Sequence, residues 1–365
     1  MTDLSLSVAL KDLGWHPAAW RDPSARPSAL FTAGYWTDLA IEAERGLLDL
    51  ITIEDSLGVQ EPAPTHVNGR LDAVLVAAML APATTRIGLV PTTITTHIEP
   101  FHASIGIASL DYASRGRAGW LPRTTEAALT EADDFVEVVR RLWDSWGDDA
   151  EIRDVPTGRF LDREKLHYID FEGAHFSVRG PSITPRPPQG QPLVAALAHD
   201  VRPYEFAARG ADVVFITPRS RPDAVTIIAQ VREAERTVRR TGDPLRIFAD
   251  LLVFLDETPG AATSRKTRLD VLNGAPPTSD AQVFAGTPTE LADLLLDWRD
   301  AGLDGFRLRP GVLPSDLTEI TQNLVPQLQK RDAFRTNYET TTLRAHLGLA
   351  RPANRYATST ARRRP

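Results

Sequence analysis

The chain has 365 residues, 42% of them hydrophobic and 24% charged, enough apolar material for one large α/β barrel or two smaller domains. Its net charge of −7 implies no broad basic face, so nucleic acid is not expected as a main partner. With no cysteine it has no disulfide, no thiolate nucleophile and no cysteine-held metal or cluster, so any redox chemistry needs a borrowed cofactor.

The opening MTDLSLSVALKDLGW carries Asp3 and too short an apolar run for a signal peptide, and no uncharged span reaches membrane length. A soluble cytoplasmic protein is the expectation. Leu4 to Leu10 alternates apolar and polar residues as a strand does, and Gly14-Trp15-His16-Pro17 turns the chain into a loop. Tyr35 to Gly46 follows as a helix, with Leu39, Ala40, Ala43 and Leu47 three or four residues apart. Leu48 to Ile53 is an apolar strand ending in Glu54-Asp55-Ser56, and charge placed directly after a buried strand points to a site at its carboxyl end.

Asp72 to Leu80 is predicted helical, and Arg86 to Thr92 is a strand buried on both faces. Thr93 to Pro100 is the loop after it, Phe101 to Ser114 a helix, and a short strand ends at Trp120. In such a βαβ unit ligands sit at the carboxyl end of the strand, so Thr95, Thr96, His97 and His102 are expected to line a site. Glu131 to Trp146 is an amphipathic helix with Phe135, Val138, Val139 and Leu142 on one face.

Regular alternation breaks from Gly147 to Pro192, where four prolines fall between Pro181 and Pro188; this segment is predicted to be an insertion with a hairpin across Tyr168 to Val178. Strands resume at Leu193, Asp212, Leu245 and Gly305, with helices predicted over Tyr204 to Arg209, Asp223 to Arg240, Thr289 to Ala301 and Leu317 to Lys330. Gly260 to Ser279 is less regular, with helical potential through Arg265 to Leu272 before Pro276-Pro277. Eight strands, each followed by a helical segment, predict a (β/α)8 TIM barrel over residues 1–342 with an insertion, 147–192, between the fourth and fifth strands. A doubly wound sheet would show a glycine-rich turn after the first strand, and no GxGxxG occurs there. Residues 343–365 are expected to form an arm on the barrel or on a neighbouring subunit, ending in a solvated basic tail.

The motifs YWTDLAIEAERGLLDLITIEDS (35–56), TTHIEPFHASIGIASLDYASRGRAGW (95–120), HYIDFEGAHFSVRGPSITPRPPQGQP (167–192) and GTPTELADLLLDWRDAGLDGFRLRP (286–310) resemble the bacterial luciferase-like flavin-dependent monooxygenases, in the nitrilotriacetate monooxygenase branch. The resemblance spans nearly the whole chain. It implies an enzyme that takes reduced flavin mononucleotide (FMN) from a separate flavin reductase and, with dioxygen, oxygenates a small organic substrate. It also implies a homodimer, or a heterodimer with a paralogue, and no metal. Carried over by position, Asp55 borders the flavin ring, Thr95 and Thr96 are the polar pair after the third strand, and His102 is a catalytic histidine that donates to the flavin or shuttles a proton. Near the end of the last strand, alternation is taken to send Arg307 and Arg309 to opposite faces, which leaves Arg309 as the inward, catalytic candidate.

The chain departs from the pattern around the flavin phosphate. Leu121-Pro122-Arg123 replaces a longer loop, Thr125 and Leu129 stand where the family has a histidine and a tyrosine, and Ala198-His199-Asp200-Val201-Arg202 replaces a serine-bearing phosphate loop. His199 or Arg202 would then serve as the phosphate donor, with Asp200 opposing. Two other readings follow from these departures: a deazaflavin-dependent hydride-transfer enzyme, and a non-catalytic barrel paralogue.

Overall fold

Eight short runs of leucine and β-branched residues pair in parallel and close on themselves. The structure, a computed structural model, describes residues 4–56 and 66–357. The ring consists of β1 (Ser5–Leu10), β2 (Leu50–Ile53), β3 (Gly88–Ile94), β4 (Gly119–Arg123), β5 (Leu193–Leu197), β6 (Val213–Ile216), β7 (Arg246–Leu255) and β8 (Gly305–Pro310). Each strand pairs with the next, and β8 returns to β1 in the register Ser7↔Arg307. This is the predicted TIM barrel. Among the described residues no helix is long and apolar enough to cross a membrane.

Strand parity decides what the interior holds, because residues two apart share a face. On the inward series, Leu50, Val90, Leu193, Ala195, Phe215 and Phe248 fill the lower barrel, and the same series continues upward to Glu54, Thr92 and Leu197 at the mouth. The outward series (Ile51, Leu89, Val194 and Val214 among them) packs under the helices in the main hydrophobic cluster. Those helices are α1 (Ala33–Arg45), α2 (Ala73–Leu80), α3 (Pro100–Ala113), α4 (Leu129–Asp144), α5 (Val201–Gly210), α6 (Arg221–Thr237), α7 (Pro259–Asn273) and α8 (Pro288–Arg299). Side-chain caps fix several of their starts: Thr32 on α1, Asp72 on α2, Asp200 on α5, and a Thr287–Glu290 capping box on α8.

Two features differ from expectation. The helical potential through Arg265 to Leu272 is realised as part of α7, but beyond it an unforeseen strand forms at Gln282–Gly286. This strand pairs in parallel with Leu251–Leu255 of β7, on the edge that β6 leaves after Ala249. The extra strand thus carries the residues just before it to the mouth of the barrel. The insertion does contain the predicted hairpin, Phe171–Glu172 against Ser177–Val178. It packs outside α4, through Ile169 and Phe171 on Val138 and Leu142, and not over the mouth.

The arm lies on its own barrel. Leu343, Leu347 and Leu349 complete the interior cluster from below. Glycine is required at Gly88 because a Cβ there would collide with Leu343 Cδ1. Arg344 pairs with Asp212 at 3.1 Å, and His346 bridges the Arg86 carbonyl at 2.8 Å through Nε2 and Thr340 Oγ1 at 2.7 Å through Nδ1. The tail 361–365 lies outside the described residues.

Both His346 nitrogens are used by the neutral ring, and burial holds its pKa down at about 4, from 6.5. The unfolded chain therefore takes up the proton first, so the stability His346 contributes is complete above about pH 6.5 and lost as pH falls toward 4. Urea unfolding at stepped pH should show this loss in the wild type, and His346→Gln should flatten that part of the profile.

Candidate active site

The carboxyl ends of the strands surround a cavity of about 960 Å³, at the upper end of the size range of small-molecule sites. Its walls come from separate strands: Lys11, Asp12 and Trp15 after β1, Glu54 and Asp55 after β2, Thr92 on β3, Leu121 to Leu129 after β4, and Leu197, His199 and Asp200 after β5. Arg307 and Arg309 on β8 form the floor, and Asp280 enters from just before the extra strand.

The floor is a charge network. Asp250, fully buried on β7, accepts from Arg307 Nε at 2.8 Å and Nη2 at 2.5 Å, and from Arg309 Nε at 2.9 Å. Arg307 also reaches Glu54 at 3.3 Å and lies 4.0 Å over the Phe215 ring. Arg309 pairs with Asp280 at 2.5 Å and stacks 4.4 Å over Trp15. Burial opposes the charge on Arg309, but Asp250 and Asp280 outweigh it and drive its pKa above the ordinary arginine value. Burial would likewise raise Asp280, yet the Arg309 hydrogen bond and charge hold that carboxyl at about 2. His199 sits beside this network, with Thr217 Oγ1 at 2.9 Å from Nδ1 and Asp280 at 3.5 Å from Nε2. Desolvation lowers its pKa, which favours the neutral ring, against the opposing pull of Asp280.

The expected opposition of Arg307 and Arg309 is corrected here. Two residues apart, they share the inward face, and both are at most 2% exposed. Arg309 is inward as expected, but two carboxylates hold it, which makes it a floor element and leaves no unpaired cation there for a phosphate or substrate.

The other expected residues divide between the cavity and its surroundings. Asp55 lines the cavity, while its carboxylate is engaged by Arg70, the Ser56 amide at 2.7 Å and the Ala73 amide at 3.1 Å, where it steadies the start of α2. His199 and Asp200 line it too; Asp200 caps α5 by accepting from Val201 N at 2.7 Å. Thr125 and Leu129 also face in.

Thr95, Thr96, His97, His102 and Arg202 do not line the cavity. Strand β3 runs on through Ile94, past the expected loop start, and carries Thr95 to hydrogen-bond with the Arg123 carbonyl. Thr96, His97 and His102 are exposed; on α3 the inward face belongs to Pro100, Ala103 and Ser104. Arg202 is 62% exposed and faces Glu126 at 4.0 Å. No described residue of the insertion 147–192 lines the cavity. His167 of that segment stacks on Tyr356 at 5.0 Å, and among the described residues no group of three potential metal ligands converges.

Three wall residues went unflagged by sequence reasoning. Thr92 is 1% exposed and its Oγ1 is buried against the cavity without a hydrogen-bond partner. Asp12 adopts φ +43°, and neither of its carboxylate oxygens makes a hydrogen bond among the described residues. Asp280 arrives with the unforeseen strand. Lys11-Asp12 does carry a sequence signal, the one read at Glu54-Asp55: charge directly after a buried strand.

A closed parallel barrel with a large, charged cavity at the carboxyl ends of its strands is the architecture of a small-molecule enzyme. The family model for luciferase-like monooxygenases matches residues 13–272. The chain is 32% identical to N-acetyl-S-(2-succino)cysteine monooxygenase of Bacillus subtilis (strain 168), over 97% of this chain and 98% of that protein. It is 31% identical to nitrilotriacetate monooxygenase component A of Aminobacter aminovorans, again over 97% and 98%. Among solved structures, EDTA monooxygenase from Chelativorans sp. BNC1 superposes with a TM-score of 0.87 at 24% identity, covering 96% of this chain and 99% of that one. The chain belongs to the luciferase-like monooxygenase family, whose members use reduced flavin. Its alignment with the Bacillus relative runs to 433 positions, more than the chain's 365 residues, so that relative carries segments absent here.

Replacing Asp250 by asparagine removes the charge that both floor arginines share. Breaking a buried pair in this way costs about 3–5 kcal/mol. Asp250→Asn should lower the urea midpoint accordingly, and an unchanged midpoint would show that Glu54 and Asp280 suffice.

Proposed function

We propose that the chain is a two-component flavin-dependent monooxygenase, accepting reduced FMN from a separate reductase and oxygenating a small organic molecule. The observation that carries this reading is the unpartnered Thr92 hydroxyl in the wall of a roomy, half-apolar cavity at the barrel mouth. Such a buried hydroxyl costs about 1–3 kcal/mol unless a ligand completes it. The ring of a flavin fits these residues: Thr92 offers one hydrogen bond, and Trp15, Leu129, Leu197 and Phe206 offer apolar surface.

The phosphate meets a different environment. Asp200 already occupies the start of α5 with a carboxylate, so the serine-bearing grip has no counterpart there. Lys11 and Arg123 are the lining cations with no carboxylate partner among the described residues, and they are the groups that would face it. A bound reduced flavin supplies two electrons to dioxygen, so that one oxygen atom enters the substrate and the other leaves as water. The chain's own contribution is to hold the floor rigid through Asp250, to place the His199 ring in the cavity wall, and to exclude water with the apolar wall.

The need for a reductase is supported by the absence of a GxGxxG turn after the first strand. Reduced flavin is made where cellular reductant is, which supports a cytoplasmic setting. The relatives' names span nitrilotriacetate, a sulfone and long-chain alkane, so similarity alone selects no substrate. Named relatives of this kind do not favour the deazaflavin or non-catalytic readings.

Titration with reduced FMN under anaerobic conditions should quench tryptophan fluorescence, since Trp15 lines the cavity, and saturate at one flavin per chain. Thr92→Val should weaken the binding by about fivefold or more, the share of one buried hydrogen bond. Failure of both reduced and oxidised flavin to bind would remove the oxygenase reading.

Pairing of two chains through α1 and α2 is supported by Ile41 and Leu75, apolar side chains left 39% and 67% exposed on those helices. Light scattering should give twice the 40.1 kDa chain mass, and the mass of one chain would remove the dimer.

A further inference from the structure

The cavity's charge balance bears on what it admits. Among the described residues its lining carries seven carboxylates against five lysine and arginine side chains, a net negative set before any ligand enters. The pairing makes this sharper. Arg307 and Arg309 face three carboxylates between them, Asp250, Glu54 and Asp280. Arg70 is taken by Asp55. Lys11 and Arg123 remain, and an FMN dianion would consume both. An anionic substrate would then enter a low-dielectric space with no cation left to meet it and several carboxylates to repel it.

Asp12 is the carboxylate placed to receive the opposite charge. It follows β1 directly, lines the cavity, and is held at φ +43°, a conformation uncommon outside glycine, asparagine and aspartate. The Tyr35 hydroxyl clamps its backbone by donating to the Asp12 carbonyl at 2.7 Å, while the carboxylate itself makes no hydrogen bond among the described residues. Burial raises its pKa, against the opposing charges of Lys11 and Arg70. The Thr92 hydroxyl, buried and unpartnered in the same wall, independently marks the cavity as built around a polar ligand.

We propose that the substrate admitted here is a cationic, amine-bearing small molecule, with its ammonium group received by Asp12. This rests on the cavity being the oxygenation site. A protonated amine gains a charge-assisted hydrogen bond to a carboxylate that has none, and the surplus of carboxylates raises its local concentration at the mouth. A carboxylate-bearing molecule of the same shape gains neither.

The test uses three probes of one shape and different charge: phenethylammonium, phenethyl alcohol and phenylacetate. Calorimetric titration into the full chain, first without flavin and then with saturating oxidised FMN, should show the cation binding at least about tenfold more tightly than phenylacetate, with the alcohol between them. The preference should shrink as salt is raised from low to about 0.5 M, since the mouth is open to screening. Asp12→Asn should bring the cation to within about threefold of the alcohol while circular dichroism remains that of the wild type. Equal affinities, tighter binding of phenylacetate, or no measurable binding of the cation by the wild type would overturn the proposal whether or not the variant folds. Cation preference without flavin binding would keep this inference and sink the oxygenase reading; flavin binding without cation preference would do the reverse.

Discussion

Two arginines lie inside the parallel barrel, and one carboxylate meets both. Asp250 lies on β7, in register beside Arg307 of β8, and spans to Arg309 one inward position higher. Desolvating a guanidinium without a partner costs several kcal/mol, so the upper barrel depends on this three-residue bridge. Everything at the mouth stands on it. Arg309 supports the Trp15 ring and anchors Asp280, Asp280 lies beside His199, and Arg307 fixes Glu54. Below the bridge the interior is apolar; above it the walls carry charge. It marks the boundary between the packed core and the site.

Much of the fold was legible in the sequence, because apolar runs of four to seven residues between helical patterns leave few alternatives to a parallel ring. The strand at Gln282–Gly286 was not, since it is short, only half-buried and paired along one edge. The site was less legible for a related reason. Parity along a strand is local, and it could have shown that Thr92 follows Val90 inward and that Arg307 and Arg309 share a face. The loop position after the third strand, and the resemblance with it, pointed instead to Thr95, Thr96 and His102, which the extended β3 and the helical face of α3 turn elsewhere. Asp280 could not have been found locally. It reaches Arg309 only because β7 is long enough to pair with β6 and then with another strand along the same edge.

Membership of the family and departure from its phosphate grip are compatible in physical terms. The barrel and its floor are set by packing and buried pairing, which tolerate little change, whereas the loops after β4 and β5 carry few buried contacts and can be shortened or recharged at low cost. The compact Thr124 to Ala128 link and the carboxylate at Asp200 are changes of that kind. They alter what the mouth attracts without disturbing the ring beneath it.

The arm that closes the base of the barrel also ties the dryness of its interior to a distant part of the chain. Leu343, Leu347 and Leu349 follow all eight strands along the chain, yet they fill the bottom of the space those strands enclose. A ring closed without this segment would leave its lower chamber open to water, so drying of the interior depends on a contact of long sequence separation. Without that contact Leu50, Val90 and Leu193 are the surfaces that a chaperone, or another unfinished chain, would meet first.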